Sequence, residues 1–113
     1  MDANRQKEFR AALLALQAEL HAAEAASEDD RAPVALDQQA VGRLSRMDAF
    51  RAQAMALETS RRRGVELRRI AAALGRMDEG EYGYCVECGE EIAALRLELD
   101  PAVPLCIGCA PGG

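Results

Sequence analysis

Four cysteines near one end of the chain constrain this sequence more than any other feature. They form two C-x-x-C pairs, Cys85-Val-Glu-Cys88 and, after 17 intervening residues, Cys106-Ile-Gly-Cys109. That separation lies inside the window for a four-thiolate zinc site. Tyr82-Gly83-Tyr84 before the first pair and Gly89 after it read as a short strand entering a tight turn, which aims two thiolates at one point. Zn²⁺ takes four such ligands in a tetrahedron, and a closed Cys₄ shell leaves no open position for water or substrate. Two disulfides or a C-x-x-C redox pair would use the same residues, but two pairs with nothing else to ligate point to one structural zinc ion held by Cys85, Cys88, Cys106 and Cys109. The single histidine, His21, lies far outside this cluster in sequence and is not expected to be a ligand.

The rest of the chain cannot build a large core. Half of the 113 residues are apolar by count, but many are alanine, and aromatics make up only 4% with no tryptophan. Alanine and leucine mixed with Arg, Glu and Gln point instead to long helices packed along a narrow seam. The net charge of −5 makes the chain a poor partner for DNA phosphates or an anionic membrane. The N-terminal Met-Asp-Ala-Asn-Arg-Gln-Lys carries no apolar signal region, and no stretch approaches 18 apolar residues. Cysteines in metal-type spacing fit a cytoplasmic location.

The expected fold is mostly α: a long antiparallel helical hairpin, or coiled coil, over residues 1–79, and a small Cys₄ module over 80–113. Residues 3 to about 26 read as one helix, capped by Asp2, with Phe9, Leu13, Leu16, Leu20 and Ala23 at 4-3-4-3 spacing as its seam. Residues 27–36 read as a solvated acidic turn broken by Pro33, so the tip of the hairpin falls near 27–37. A second helix should start near Asp37 and run to about Met77. Leu44, Met47, Phe50, Ala54 and Leu57 form its early seam, and Leu67, Ile70, Leu74 and Met77 its late one. Gly64 is a weak point for a bend, and Gly80 a C′ glycine. With a tight connection, helix one covers the second helix only to about Arg61, leaving the late seam to pack on the zinc module. Ala93–Leu99 should form a short helix between the two cysteine pairs.

The residues from Gly80 onward resemble the zinc finger of the DksA/TraR family of bacterial transcription regulators. The likeness is carried by Gly80-Glu-Tyr-Gly-Tyr-Cys85-x-x-Cys88-Gly-Glu-x-Ile92, then Arg96-Leu97, Pro101 and Cys106-Ile-x-Cys109. Leu67-Arg-Arg-Ile70 and Ala73-Leu74 continue it into the long helix. The resemblance implies a protein that binds RNA polymerase directly and not promoter DNA, with the hairpin entering the enzyme's secondary channel and acidic groups at its tip near the catalytic centre. The family's tip pattern, Asp-x-x-Asp-x-Ala, is absent here. Its nearest counterparts are Asp37 or, in another register, Asp48, with Asp29 and Asp30 as further acids of the turn. Some members respond to ppGpp. Two of the positions where responsive members are basic hold Asp100 and Ala110 here, while Arg69 keeps a cation, which implies a weakened tetraphosphate site.

Helix two carries nine of the fourteen basic residues, with Arg61, Arg62 and Arg63 consecutive. They are candidates for contacts to polymerase together with Arg69; a solvated face with pairs such as Glu58–Arg62 is the plainer account. Two rival functions use the same residues. A nucleic-acid-binding zinc ribbon would set these arginines on phosphates, against the net charge. A thiol or metal sensor would release zinc on oxidation, against the negative charge of Glu87, Glu90 and Glu91 around the first pair. No arrangement of catalytic residues is recognisable, so no enzymatic activity is expected.

Overall fold

The structure, a computed structural model, describes residues 1–34 and 43–112. Their order is α1 (Ala3–Ala26), α2 (Glu28–Arg31), α3 (Arg43–Asp78) and α4 (Ala94–Leu99). Among the described residues no helix is long and apolar enough to cross a membrane. The chain is mostly α, an antiparallel pairing of α1 with α3 plus a small cysteine-rich module. It divides into two compact units, Met1–Ala18 with Glu66–Gly113, and Glu19–Val65. The division does not fall at the expected 79/80 boundary, because the cysteine-rich residues share one core with the ends of both long helices.

Local chemistry sets the helix ends. Asp2 caps α1, its Oδ1 accepting the backbone N–H of Arg5 at 2.7 Å. Gly80, at φ +75°, closes α3. The N–H of Gly80 reaches Met77 O and that of Glu81 reaches Arg76 O at 2.8 Å, the paired bonds of a Schellman motif. The helix is unbroken at Gly64. The expected solvated acidic turn after α1 carries exposed Glu28, Asp29 and Asp30 and forms a single helical turn, α2. Ala32 then turns extended (φ −63°, ψ 152°), as a residue before proline must. The expected helix start at Asp37 lies outside the described residues.

The first unit holds the apolar core. Phe9 and Leu13 of α1 are buried, as are Ile70, Ala73 and Met77 of α3, and Tyr82, Ile92, Leu97, Ala102 and Val103 of the segment that follows. The Phe9 and Tyr82 rings meet at 5.8 Å and 50°, a tilted pair. The Tyr82 hydroxyl donates to Pro101 O at 2.7 Å, and burial pushes its pKa up to about 12. Arg10 on α1 pairs with Asp78 at the end of α3 at 2.8 Å. The start of α1 therefore packs against the end of α3, and the expected limit of its coverage at Arg61 is corrected. That limit placed the end of α1 opposite the start of α3, whereas Glu24 near the end of α1 meets Ser60 and Arg63.

In the second unit α1 and α3 are linked by a polar network, beside the shielded Leu20 and Ala23 of α1 and Ala49 and Ala56 of α3. Glu24 accepts a hydrogen bond from the Ser60 hydroxyl at 2.8 Å and another from Arg63 at 3.1 Å. Arg63 and Arg31 also donate to the Ser27 hydroxyl, at 3.0 and 2.7 Å, and Gln53 donates to Ala32 O at 2.7 Å. The expected early seam is corrected: Met47, Phe50 and Leu57 are each nearly half exposed and Ala54 is exposed, while Ala49, Gln53, Ala56 and Ser60 are the shielded positions. On α1, Leu16 is likewise exposed and Gln17 is the more shielded neighbour. Alanine and serine on the facing stripe leave little bulk between the helices, and a shielded carboxylate and guanidinium then need each other.

This network has a pH consequence. The Ser60 hydroxyl, then the Arg63 guanidinium, hold Glu24 below its ordinary value of 4.5. A carboxylate with a depressed folded-state pKa stabilises above its unfolded value and loses that contribution as pH falls through the folded one. Amide protection of the second unit should therefore be full at neutral pH and decline as pH drops below 4.5. Glu24→Gln should flatten that decline, read as hydrogen-exchange protection factors in residues 19–26 and 53–63. An unchanged profile in the variant would show that Glu24 is not the group responsible.

Candidate metal centre

The first cysteine turn is built by short backbone contacts. Tyr84 and Glu91 form a single antiparallel bridge where a short strand was expected. The Cys85 N–H donates to Glu90 O at 2.8 Å, and the Gly89 N–H returns to Cys85 O at 2.9 Å. Gly89 sits at φ +75° to close the turn. The second turn is tighter, with the N–H groups of Cys109 and Ala110 both donating to Cys106 O. Two bonds tie the turns and α4 together. The Val86 N–H donates to Pro104 O at 3.0 Å, and Arg96 Nε donates to Leu105 O at 2.9 Å.

These turns bring the four sulfurs of Cys85, Cys88, Cys106 and Cys109 within 4.8 Å of one another. Cys88 Sγ and Cys106 Sγ are 3.7 Å apart, far beyond a disulfide bond. The edge of a tetrahedron with Zn–S bonds of about 2.3 Å is about 3.8 Å, so the spacing fits. Charge fits as well. Backbone N–H groups of Cys106 and Cys88 directed at Cys85 draw its thiol down to about 6. Crowding by the sulfurs of Cys106, Cys88 and Cys85 pushes Cys109 up to about 12. Four thiolates cannot share this space without a cation, and a divalent ion with four thiolate ligands resolves the conflict. All four positions of a tetrahedron are filled by protein, so the site is a structural zinc centre with no place for a reacting molecule.

The other residues singled out in the sequence are dispersed. Asp29 and Asp30 are exposed on α2, Asp48 is exposed on α3, and Asp37 lies outside the described residues. Arg61 and Arg62 both bind Glu58, at 2.8 and 3.1 Å, and the pair of guanidiniums holds its carboxyl at about 2. Arg63 is engaged with Glu24. Arg69 is held from two sides, by Asp100 at 2.6 Å and by Glu66 at 2.6 Å. The bond to Asp100, and the ion pair of Arg5 with Glu98, fasten α3 and α1 to the zinc-bearing segment. Both join residues 31 or more positions apart, and no local pattern announces them.

The description "Prokaryotic dksA/traR C4-type zinc finger" matches residues 80–112. The RNA polymerase-binding transcription factor DksA of Haemophilus influenzae is 46% identical over 43 residues, 38% of this chain and 30% of that protein. Its namesake from Caulobacter vibrioides is 38% identical over 55 residues, 49% of this chain and 39% of that protein. The matched segment thus spans about a third of the length of these curated relatives. The solved structure of transcription factor DksA2 from Pseudomonas aeruginosa extends the likeness across both units. It aligns with a TM-score of 0.78 at 30% identity, covering 96% of this chain and 81% of that one. With its four clustered cysteines, its paired helices and this similarity over nearly its whole length, the chain belongs to the DksA/TraR family.

Proposed function

We propose that this chain regulates transcription by binding RNA polymerase directly, inserting its helical hairpin into the secondary channel while the zinc module holds the base of the two helices. The similarity to DksA2 over 96% of the chain carries this reading, and the curated relatives are named for polymerase binding. On this view the protein acts by contact and not by catalysis, in the cytoplasm where polymerase works. Asp37 is the first candidate for the effector acid at the tip, with Asp29, Asp30 and Asp48 behind it.

Ion pairing argues about the basic candidates. Arg61, Arg62 and Arg63 are matched to Glu58 and Glu24, so in this state their charge is largely answered within the chain. A nucleic-acid surface would need cations free for phosphates, and the net charge of −5 opposes one; sequence-specific DNA binding is not expected. Arg69 already has two carboxylate partners. A tetraphosphate such as ppGpp would have to displace Asp100 beside its own negative charge, so we expect no ppGpp response through this position.

The test is a pull-down of purified core polymerase in the absence of DNA, checked by native mass spectrometry. The wild-type chain should bind at micromolar concentrations and alter initiation at promoters with short-lived open complexes. Asp37→Asn should fold and bind normally yet lose most of the effect on initiation, whereas Asp29→Asn and Asp30→Asn should lose less. Absence of any complex would sink the proposal, and a melted Asp37→Asn variant would make that residue a helix cap.

A further inference from the structure

The outward face of α3 in the second unit is an apolar stripe. Met47, Phe50 and Leu57 are 45%, 48% and 49% exposed, and with Ala54, also exposed, they repeat at the 3-4-3 spacing of a coiled-coil seam. We propose that this stripe pairs with the same stripe of a second copy of the chain, antiparallel about a two-fold axis, in a weak dimer.

Charge at the borders selects that occupant and that geometry. The stripe is flanked by Arg46 on one side and by Arg51 and Glu58 on the other. In an antiparallel pair the residues that follow the inner seam positions on one border face each other across the interface. Setting Ala54 opposite Leu57 of the second copy brings Arg51 opposite Glu58 of the second copy, and the two-fold axis makes that pair twice. The same register lays Phe50 against Arg61 of the second copy, whose alkyl stem and guanidinium suit an aromatic face. Glu58 already accepts three hydrogen bonds, two from Arg61 and one from Arg62, which leaves one of a carboxylate's about four lone-pair sites for Arg51 of the second copy. The alternatives are repelled. Sliding the helices so that Phe50 meets Ala54 sets Arg51 against its own copy. A parallel pair sets Arg46 against Arg51 twice. Of these arrangements, only the first matches opposite charges.

The face runs from residue 47 to 61, about 22 Å of helix. Such an interface buries less than the roughly 1,200 Å² typical of stable complexes. The dimer should therefore form only at tens to hundreds of micromolar, in exchange with monomer. This inference stands apart from polymerase binding and is tested without it.

The experiment is sedimentation equilibrium of the full zinc-loaded chain from about 10 µM to about 1 mM. Association should be visible over that range. Arg51→Glu and Glu58→Arg should each weaken it at least tenfold, and the double exchange should restore it to within about threefold. Zinc content and helical signal, unchanged in all three, certify the fold. A chain monomeric throughout the range overturns the proposal. So does a dimer indifferent to the exchanges, or a double variant as weak as the singles. If the chain stays monomeric and Phe50→Ala abolishes polymerase binding, the stripe is a polymerase surface.

Discussion

Removing zinc should unfold residues 80–112 and loosen the ends of α1 and α3 that share their core. The segment buries Tyr82, Cys85, Ile92, Leu97, Ala102 and Val103, but leaves Leu95, Leu99 and Ile107 66–80% exposed. A module of this size cannot stabilise itself on so small a core. Zinc binding to four thiolates contributes about 10–16 kcal/mol, which matches or exceeds the whole stability of a small domain, about 5–15 kcal/mol. Cys88→Ser, on the exposed side of the cluster, removes one ligand while changing little else. It should still reduce the stability of this unit to near zero. The readout is tyrosine fluorescence, since the Tyr82 ring is buried against Phe9. A metallochromic dye should report one zinc released per chain over the same chelator range. A chelated protein with unchanged Tyr82 emission would mean that the helices, and not the metal, hold the base.

The second large effect separates the two faces of α3. Ile70→Ala and Leu13→Ala each empty a fully buried site, at 1% and 0% exposure, and should cost about 2–5 kcal/mol in urea unfolding. Phe50→Ala and Leu57→Ala, measured at a few micromolar where the chain is monomeric, should lie within about 0.5 kcal/mol of wild type. The contrast runs against side-chain size, because Phe50 is the largest of the four. Equal losses at all four positions would place Phe50 and Leu57 inside the hairpin and contradict the exposed stripe.

The phase of the two apolar runs on α3 explains why the hairpin's inner face departs from the expected seam. Leu57, the last residue of the early run, and Leu67, the first of the late one, are ten positions apart. At about 100° per residue they point about 80° apart on a straight helix. One helix side cannot present both to the same partner. Stepping back from Met77 through Leu74, Ile70 and Leu67 by the same 3-4 rule reaches Arg63, Ser60, Ala56, Gln53 and Ala49, the stripe that is shielded. Hydrophobicity alone passes over it, because its members are small or polar and their fitness depends on Glu24 and Ser27 from a different helix.

What lies within a few residues was legible. The spacing of four cysteines implied the zinc cluster, Asp2 the start of α1, and Gly80 the end of α3. The helix ends rest on bonds between near neighbours in the chain; the cluster joins residues 18 positions apart and was legible because four thiolates in two C-x-x-C pairs match the ligand set of one zinc ion. Other features required the folded molecule: which stripe of α3 meets α1, the seating of Phe9 on Tyr82, and the capture of Arg69 by Asp100. Those contacts join residues 31 to 73 positions apart, and their strength comes from burial and charge matching that exist only after the helices have met.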